Sequence, residues 1–342
     1  MSDRVTRLGV LGAGQYFATA YLPYLMEGPS GLKVAALCRR NREELQRLGA
    51  HFPAATLYGE GADLLTHEPM DAVLISTPHH LHYSQVKQAL QRELHVLVDK
   101  PLCLDAAQAE ELVLLAQEKE RILTIAYSYH YWSHFQKARQ LVASGALGKI
   151  TSVACLGAAS ATTSPVLDPS SWYQDVEQSG GGSLASGGTH RVEAILWLTG
   201  LRPQRIYASM RGPQVGLDYQ ASLTLELEGG VVASLLNEAQ GPTWRLELSI
   251  YGKQGALFIR NHELEHVDHM GQIQELSCWP PETNAVADFI RAIAQGYPSL
   301  ADGECAYWAV AAIQAAYASA RTERAVRVRP FSNTKERDGE AR

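Results

Sequence analysis

The chain has 342 residues, 46% of them hydrophobic, and a formal net charge of −6. That length suits two domains of ordinary size, each with its own core, and the mild acidity provides no basic stripe for nucleic acid or an anionic membrane. No apolar run approaches the roughly 20 residues of a membrane span, so neither nucleic acid nor membrane is expected as a partner.

In chain order, residues 1–126 alternate strand and helix. Strands are expected at Leu8–Leu11, Lys33–Cys38, Asp71–Ser76, His95–Val98 and Ile122–Ala126. Helices fall between them at Tyr16–Met26, Arg42–Leu48, His82–Gln91 and Asp105–Glu118. The strands are Val/Ile/Leu-rich rather than alternating, as when both faces of a parallel sheet are covered, and the alternation predicts an α/β, doubly wound sheet. Arg4, Arg7, the run Leu8–Leu11 and Ala18-Thr19-Ala20 loosely mimic a secretory signal. The apolar stretch is too short for one, and Gln15 and Tyr16 interrupt it.

The pattern then changes. Ser133–Ala143 reads as a helix opened by a capping box, Ser133-x-x-Gln136. Strands follow at Ile150–Leu156, Arg205–Met210, Gln220–Leu227, Val231–Asn237, Leu246–Ile250 and Ala256–Ile259, and helices at Asn284–Ala294 and Glu304–Arg321 close the chain. Residues 127–330 are therefore expected to form an α+β substrate domain with an antiparallel or mixed sheet, and 331–342 a disordered polar tail. The five cysteines (Cys38, Cys103, Cys155, Cys278, Cys305) are odd in number and lack a CxxC pair. They read as small buried apolar residues in a reducing, cytoplasmic setting.

Two segments carry the chemistry. Gly12-Ala13-Gly14 ends the first strand and opens a helix, where the backbone can approach a pyrophosphate closely. The third position of that fingerprint is the bulky Phe17, which must point elsewhere or push the helix outward. Asp99-Lys100-Pro101 follows Val96-Leu97-Val98 and puts one lysine at the ligand-binding edge of the sheet. A dinucleotide site and a lysine at one edge suggest redox chemistry on a bound small molecule. The second strand ends in Arg39-Arg40, where an NAD site usually places a carboxylate for the ribose 2′-hydroxyl. Guanidiniums there suit a 2′-phosphate, and hydrogen bonds to charged groups are worth about 1.5–3 kcal/mol, so NADP(H) is expected over NAD(H).

With these motifs the chain resembles the Gfo/Idh/MocA oxidoreductases, the glucose–fructose oxidoreductase and inositol dehydrogenase family. The resemblance runs from Val5 to Val328. It rests on GAGQYFATAYLP at Gly12, TPHHLH at Thr77, VDKP at Val98, GALGKI at Gly145, GGGSLASGGTH at Gly180, IYGKQGAL at Ile250 and the final helix from Ala301. It implies a Rossmann domain followed by a large open-faced, predominantly antiparallel mixed sheet, through which the subunits form a homo-oligomer, a dimer or a tetramer. Lys100 matches the family's functional lysine, with Asp99 where Glu is usual, and His190 matches the catalytic His or Tyr. Pro78 and His82 match the turn beside the cofactor; with Thr77 and His79 they join Gly12, Gly14, Gln15, Tyr16, Phe17, Arg39, Arg40, Asp99 and Lys100 as cofactor-binding candidates. Trp172 resembles the aromatic residue ahead of the glycines.

Hydride transfer to or from a carbinol needs one group to move the oxygen's proton and another to stabilise the partial alkoxide. An imidazole, with an ordinary pKa of about 6.5, suits His190 to the first task, and Lys100 to the second; the roles can also be exchanged. Two departures stand out. Ser186 replaces the family's Asp, with Glu193 one turn beyond His190 as a substitute orienting partner, and Ser128 and His130 replace the usual Asn and Arg. Tyr129, His130, Trp172, Ser186 and Thr189 are the candidate substrate contacts. His262, His266 and His269 have helical metal-face spacing but lie in a region of hairpins, so no metal is expected. The reading is an NADP(H)-dependent oxidoreductase acting on a sugar, inositol or related cyclic compound. The alternatives are a cofactor-retaining glycosidase of the same family and a catalytically silent cofactor-binding sensor.

Overall fold

The computed structural model describes residues 5–276 and 283–332. They form two compact units. Of the described residues, one unit comprises 5–103, 111–126 and 283–303, and the other 104–110, 127–276 and 304–332.

Six strands build the first unit: β1 (Thr6–Leu11), β2 (Leu32–Cys38), β3 (Thr56–Tyr58), β4 (Ala72–Ile75), β5 (His95–Val98) and β6 (Leu123–Ile125). All pairings are parallel, in the order β3-β2-β1-β4-β5-β6. This is the doubly wound order whose reversal point, between β1 and β4, binds ligands beyond the strands' C-terminal ends. The connecting helices are α1 (Gln15–Ala20), α2 (Leu22–Met26), α3 (Arg42–Gly49), α4 (Gly61–His67), α5 (His82–Gln91) and α6 (Ala106–Glu118). The helix expected over Tyr16–Met26 breaks at Tyr21 because Pro23, in the first turn of α2, has no N–H to continue the ladder. Strand β3 and helix α4 are short and escape the sequence pattern altogether.

Nine strands build the second unit: β7 (Ile150–Ser160), β8 (Pro203–Arg211), β9 (Gln220–Leu227), β10 (Val231–Gly241), β11 (Arg245–Gly252), β12 (Gly255–Arg260), β13 (Glu263–Asp268), β14 (Ile273–Leu276) and β15 (Val326–Arg327). Their order is β14-β13-β12-β11-β7-β10-β9-β8-β15, with β7 and β10 parallel and every other pair antiparallel. Strand β9 alternates strictly between exposed and buried residues, as a sheet covered on one face should. Helices α7 (Ser133–Ala143) and α9 (Thr189–Thr199) pack on the covered side, and α8 (Val176–Ser179) precedes the glycine loop.

Three expectations are corrected. Helix α10 (Ala285–Gln295), expected to close the second domain, belongs to the first unit. Its stripe of Val286 and Phe289 joins Leu8, Val10, Phe17, Leu74 and Leu97 in one core, because a parallel sheet needs both faces covered. The capping box does not form: Trp132 occupies the cap position, and the Gln136 amide donates instead to the His130 carbonyl at 3.0 Å. The packed chain also runs past residue 330. After α11 (Gly303–Thr322), Phe331 is buried against Tyr307 at 4.8 Å, and the Ser332 N–H donates to Glu110 at 2.6 Å. The rest of the expected tail, and Cys278, lie outside the described residues. Cys38, Cys103 and Cys155 are buried as expected, whereas Cys305 is partly exposed.

Candidate functional site

The glycine turn fits a dinucleotide. Gly12 has φ +79°, and a Cβ there would stand 2.4 Å from the Ser76 carbonyl oxygen, so only glycine lets β1 turn beside β4. The Gly12 and Ala13 N–H groups both donate to the Cys38 carbonyl, at 3.1 and 3.0 Å, which ties the turn to the end of β2. A Cβ on Gly14 would meet nothing nearer than 3.8 Å, so the outer side of the turn is open to a pyrophosphate. Gln15 and Tyr16 are exposed beside it, while Phe17 turns its ring wholly into the core next to Tyr21. The misfit at the third position is thus absorbed inward, and what Phe17 offers a cofactor is backbone.

Arg39 is half-buried. Its Nη1 donates to the Ala13 carbonyl at 3.0 Å and lies 3.8 Å from Glu44 Oε2; Arg40 is exposed. The sequence reading missed nearby carboxylates. Burial, reinforced by Glu60 and Asp63, pushes the Cys38 thiol up to about 11, so two acids act electrostatically on the end of β2. Both belong to α4 and its approach, the element the hydrophobic pattern did not reveal.

At the end of β5, Asp99 and Lys100 are both buried. Asp99 accepts hydrogen bonds from Tyr21 and from Ser76 Oγ, the latter at 2.5 Å, so it joins the ends of α1, β4 and β5. Burial lifts its carboxyl to about 6, while Ser76, Tyr21 and Lys100 pull it down. The Lys100–Pro101 peptide is cis. His82 is wholly buried between two carbonyls, with Nδ1 2.7 Å from Pro101 O and Nε2 2.8 Å from Thr77 O. It is therefore a brace between the turns after β4 and β5. Thr77 Oγ1 donates to Gln85 at 2.6 Å, Pro78 precedes the single helical turn at His79–Leu81, and His79 is buried 5.7 Å from the His82 ring.

His190 belongs to the second unit, as the second residue of α9, directly after a π-turn at Leu184–Gly188. Its ring lies edge-on to Tyr127 at 5.8 Å and 5.5 Å from Tyr129. Thr189 is buried, its Oγ1 3.4 Å from the Tyr127 hydroxyl, and Ser186 is buried in the π-turn. Trp172 is half-buried and stacks on Tyr173 at 3.9 Å. The expected Glu193–His190 partnership is corrected. Glu193 pairs with His130 Nε2 at 2.6 Å, both fully buried, and His130 stacks on Trp197 at 4.0 Å. Facing inward from α9, Glu193 meets the His130 imidazole. His130 is thus packed inside the second unit, between Glu193 and Trp197.

The sequence reading also missed Asp218 and Tyr317. Asp218 Oδ1 accepts from the Gly182 N–H at 3.1 Å and Oδ2 from the Leu184 N–H at 2.8 Å, and Tyr317 donates to Asp218 at 2.5 Å. An isolated aspartate between β8 and β9 carries no motif to announce it. Among the described residues no group of His, Cys, Asp and Glu could hold a metal. Of the histidine series only His266 lies on a strand, paired to Gln274 across β13 and β14, while His262 and His269 fall in the turns that flank β13.

A Rossmann unit with a glycine turn that fits a dinucleotide, followed by an α+β unit whose helix α9 opens with a histidine just after a glycine loop, is the architecture of a nicotinamide-dependent oxidoreductase. Residues 6–127 match the oxidoreductase family with an NAD-binding Rossmann fold, and residues 135–258 match the GFO/IDH/MocA C-terminal domain. The chain belongs to the Gfo/Idh/MocA oxidoreductases and is an NAD(P)-dependent enzyme acting on CH–OH groups. It is similar to the dTDP-3,4-didehydro-2,6-dideoxy-alpha-D-glucose 3-reductase of Streptomyces violaceoruber, 30% identical over 260 residues, 74% of this chain and 72% of that one. The D-glucoside 3-dehydrogenase of Escherichia coli is 24% identical over 205 residues, 58% of this chain and 56% of its own. The structure of levoglucosan dehydrogenase in complex with NADH has the same fold, with a TM-score of 0.84 at 20% identity over 95% of this chain and 100% of that one. Among the described residues no helix is long and apolar enough to cross a membrane.

Proposed function

We propose that the chain transfers hydride between NADP(H) and a carbinol or ketone of a sugar, inositol or related cyclic compound, with Lys100 and His190 serving the substrate oxygen. One observation carries the reading: Lys100 is buried beside Asp99 at the end of β5, on the sheet edge that also bears the Gly12–Gly14 turn. The names of two relatives, a dTDP-sugar 3-reductase and a D-glucoside 3-dehydrogenase, agree with a cyclic sugar substrate. The nicotinamide, when bound, supplies or accepts the hydride. His190 gives or takes the hydroxyl proton, and the Lys100 ammonium holds the oxygen as charge develops on it. Arg39 and Arg40 bind the 2′-phosphate, with Arg39 already drawn over the turn by the Ala13 carbonyl.

The enzyme works in the cytoplasm as a homo-oligomer built on the outer face of the nine-stranded sheet. Tyr207, Val232, Leu236 and Tyr251 are exposed on that face, flanked by the Arg205–Glu226 and Arg245–Glu247 ion pairs. The test of cofactor choice is the pair of dissociation constants for NADPH and NADH, read by quenching of tryptophan fluorescence. NADPH binding about tenfold tighter or more, lost in Arg39→Ala/Arg40→Ala, supports the reading. Equal or tighter NADH binding would mean that those arginines serve solvent and that Glu60 and Asp63 govern the end of β2.

A further inference from the structure

We propose that Asp218 and Tyr317 are positioning residues, a cradle that fixes the glycine loop and through it the bearing of His190; this rests on His190 acting at the substrate oxygen. Three successive backbone N–H groups converge on one residue. Gly182 and Leu184 donate to the Asp218 carboxylate, and Ser183 donates to the Asp218 backbone carbonyl at 2.7 Å. Tyr317 completes the cradle from α11. Its hydroxyl donates to Asp218 Oδ1 and accepts from Gly182 N–H at 3.0 Å. Asp218 is almost fully buried; burial raises its carboxyl and, more strongly, the Tyr317 hydroxyl.

The cradle also explains the run of glycines. A Cβ on Gly181 would stand 2.1 Å from the Tyr317 hydroxyl oxygen, one on Gly182 2.0 Å from the Asp218 carbonyl oxygen, and one on Gly180 2.3 Å from Leu104. Gly181 therefore makes room for the Tyr317 hydroxyl, Gly182 for the Asp218 backbone and Gly180 for Leu104. Room comes with looseness, since glycine loses more conformational freedom on ordering than any other residue. Without the cradle, the stretch from Gly180 to Gly188, which carries Ser186 and leads into His190, would be the least constrained part of the site. The capture of residues 182–184 fixes where the π-turn at Leu184–Gly188 begins, and α9 extends rigidly from there. A second tether holds the same loop from β10, where Asn237 donates to Ser183 Oγ at 2.8 Å and accepts from Arg191. Both tethers serve the orientation of one short helical segment.

The experiment is a double-mutant cycle of Tyr317→Phe with His190→Gln, assayed on whichever of D-glucose, methyl glucopyranoside or myo-inositol the wild type turns over fastest. Circular dichroism and NADPH affinity are measured alongside. Tyr317→Phe removes one hydroxyl at nearly constant shape. It is expected to lower kcat by about 10- to 100-fold, the scale of a small misplacement of a catalytic group, with NADPH affinity and the dichroism spectrum unchanged. In the His190→Gln background the same change should cost less than about twofold, since the group it positions is gone. Wild-type kcat in a folded Tyr317→Phe overturns the cradle, as does an undiminished loss in the His190→Gln background. Asp218→Asn should repeat the kcat loss if it folds; if it does not, Tyr317→Phe decides alone. The functional reading fails differently: His190→Gln keeps wild-type turnover, or the wild type turns over no compound in a broad panel of cyclic sugars and inositols, and either result ends both proposals.

Discussion

Replacing Asp99 with asparagine should change how stability depends on pH in a direction that is fixed by the burial of the carboxyl. Burial lifts the native Asp99 carboxyl from 3.8 to about 6, against the hydrogen bonds of Ser76 and Tyr21 and the charge of Lys100. Because the native value lies above the unfolded one, the native state holds the proton more tightly. That contribution is complete below about pH 3.8 and is lost as the pH rises through about 6. At about 1.4 kcal/mol per pH unit, the interval amounts to about 3 kcal/mol. The amide of Asp99→Asn does not titrate, and its single carbonyl oxygen can still accept from Ser76 or Tyr21, so the variant differs from wild type by an offset plus this slope. Urea denaturation followed by circular dichroism, repeated from about pH 4 to about pH 7, should show the variant gaining about 3 kcal/mol on wild type across the range. Parallel curves would mean that Asp99 titrates as an ordinary exposed carboxylate, and the account of the β5 end as a dry, braced corner would be wrong.

His82 gives the opposite sign. Burial pushes its imidazole down from 6.5 to about 4, so its contribution is present above pH 6.5 and is lost as the pH falls through about 4. His82→Gln should therefore gain about 3 kcal/mol on wild type on acidification in the same urea series; if wild type gains instead, the Thr77 and Pro101 carbonyls hold the ring as imidazolium despite its burial. Gly12→Ala forces an L-residue to φ +79° with its Cβ against the Ser76 carbonyl. It should cost about 1–3 kcal/mol and weaken NADPH binding more than about tenfold by fluorescence titration, and wild-type affinity would show that the turn does not approach the cofactor. Glu193→Ala leaves the buried His130 Nε2 without its carboxylate partner and should destabilise the chain by about 1–3 kcal/mol in urea. A cost under about 1 kcal/mol would show the pair to be replaceable.

The fold and the family were legible because the informative residues are local and ordered along the chain. The apolar runs ending at Gly12, Arg39, Ser76 and Asp99 mark strands whose ends the parallel sheet brings to one edge. What the sequence hid was tertiary. The apolar stripe of α10 reads as a core helix, but nothing in Val286 or Phe289 says which sheet it covers. Phe331 looked like part of a polar tail because one aromatic residue cannot outweigh its neighbours in a window, although Tyr307 gives it a full packing partner. Glu193 has the spacing to support His190, yet its direction on α9 takes it to His130. Asp218 carries no pattern at all, and Tyr317 is one residue of the final-helix motif with nothing to single it out. They matter because the chain brings a carboxylate and a hydroxyl from distant elements onto three consecutive amides.

In the proposed reaction, nicotinamide-dependent oxidation or reduction of a cyclic carbinol depends on Lys100 and His190. The most direct measurement is the change in near-ultraviolet absorbance of the reduced nicotinamide across a panel of cyclic sugars and inositols, for wild type, Lys100→Ala and His190→Gln. Wild type should turn over at least one compound with NADP(H), and each variant should lose about 10²–10⁴-fold, with cofactor affinity retained in His190→Gln. Tight NADPH binding with no turnover of any compound, or wild-type rates in either variant, would contradict it.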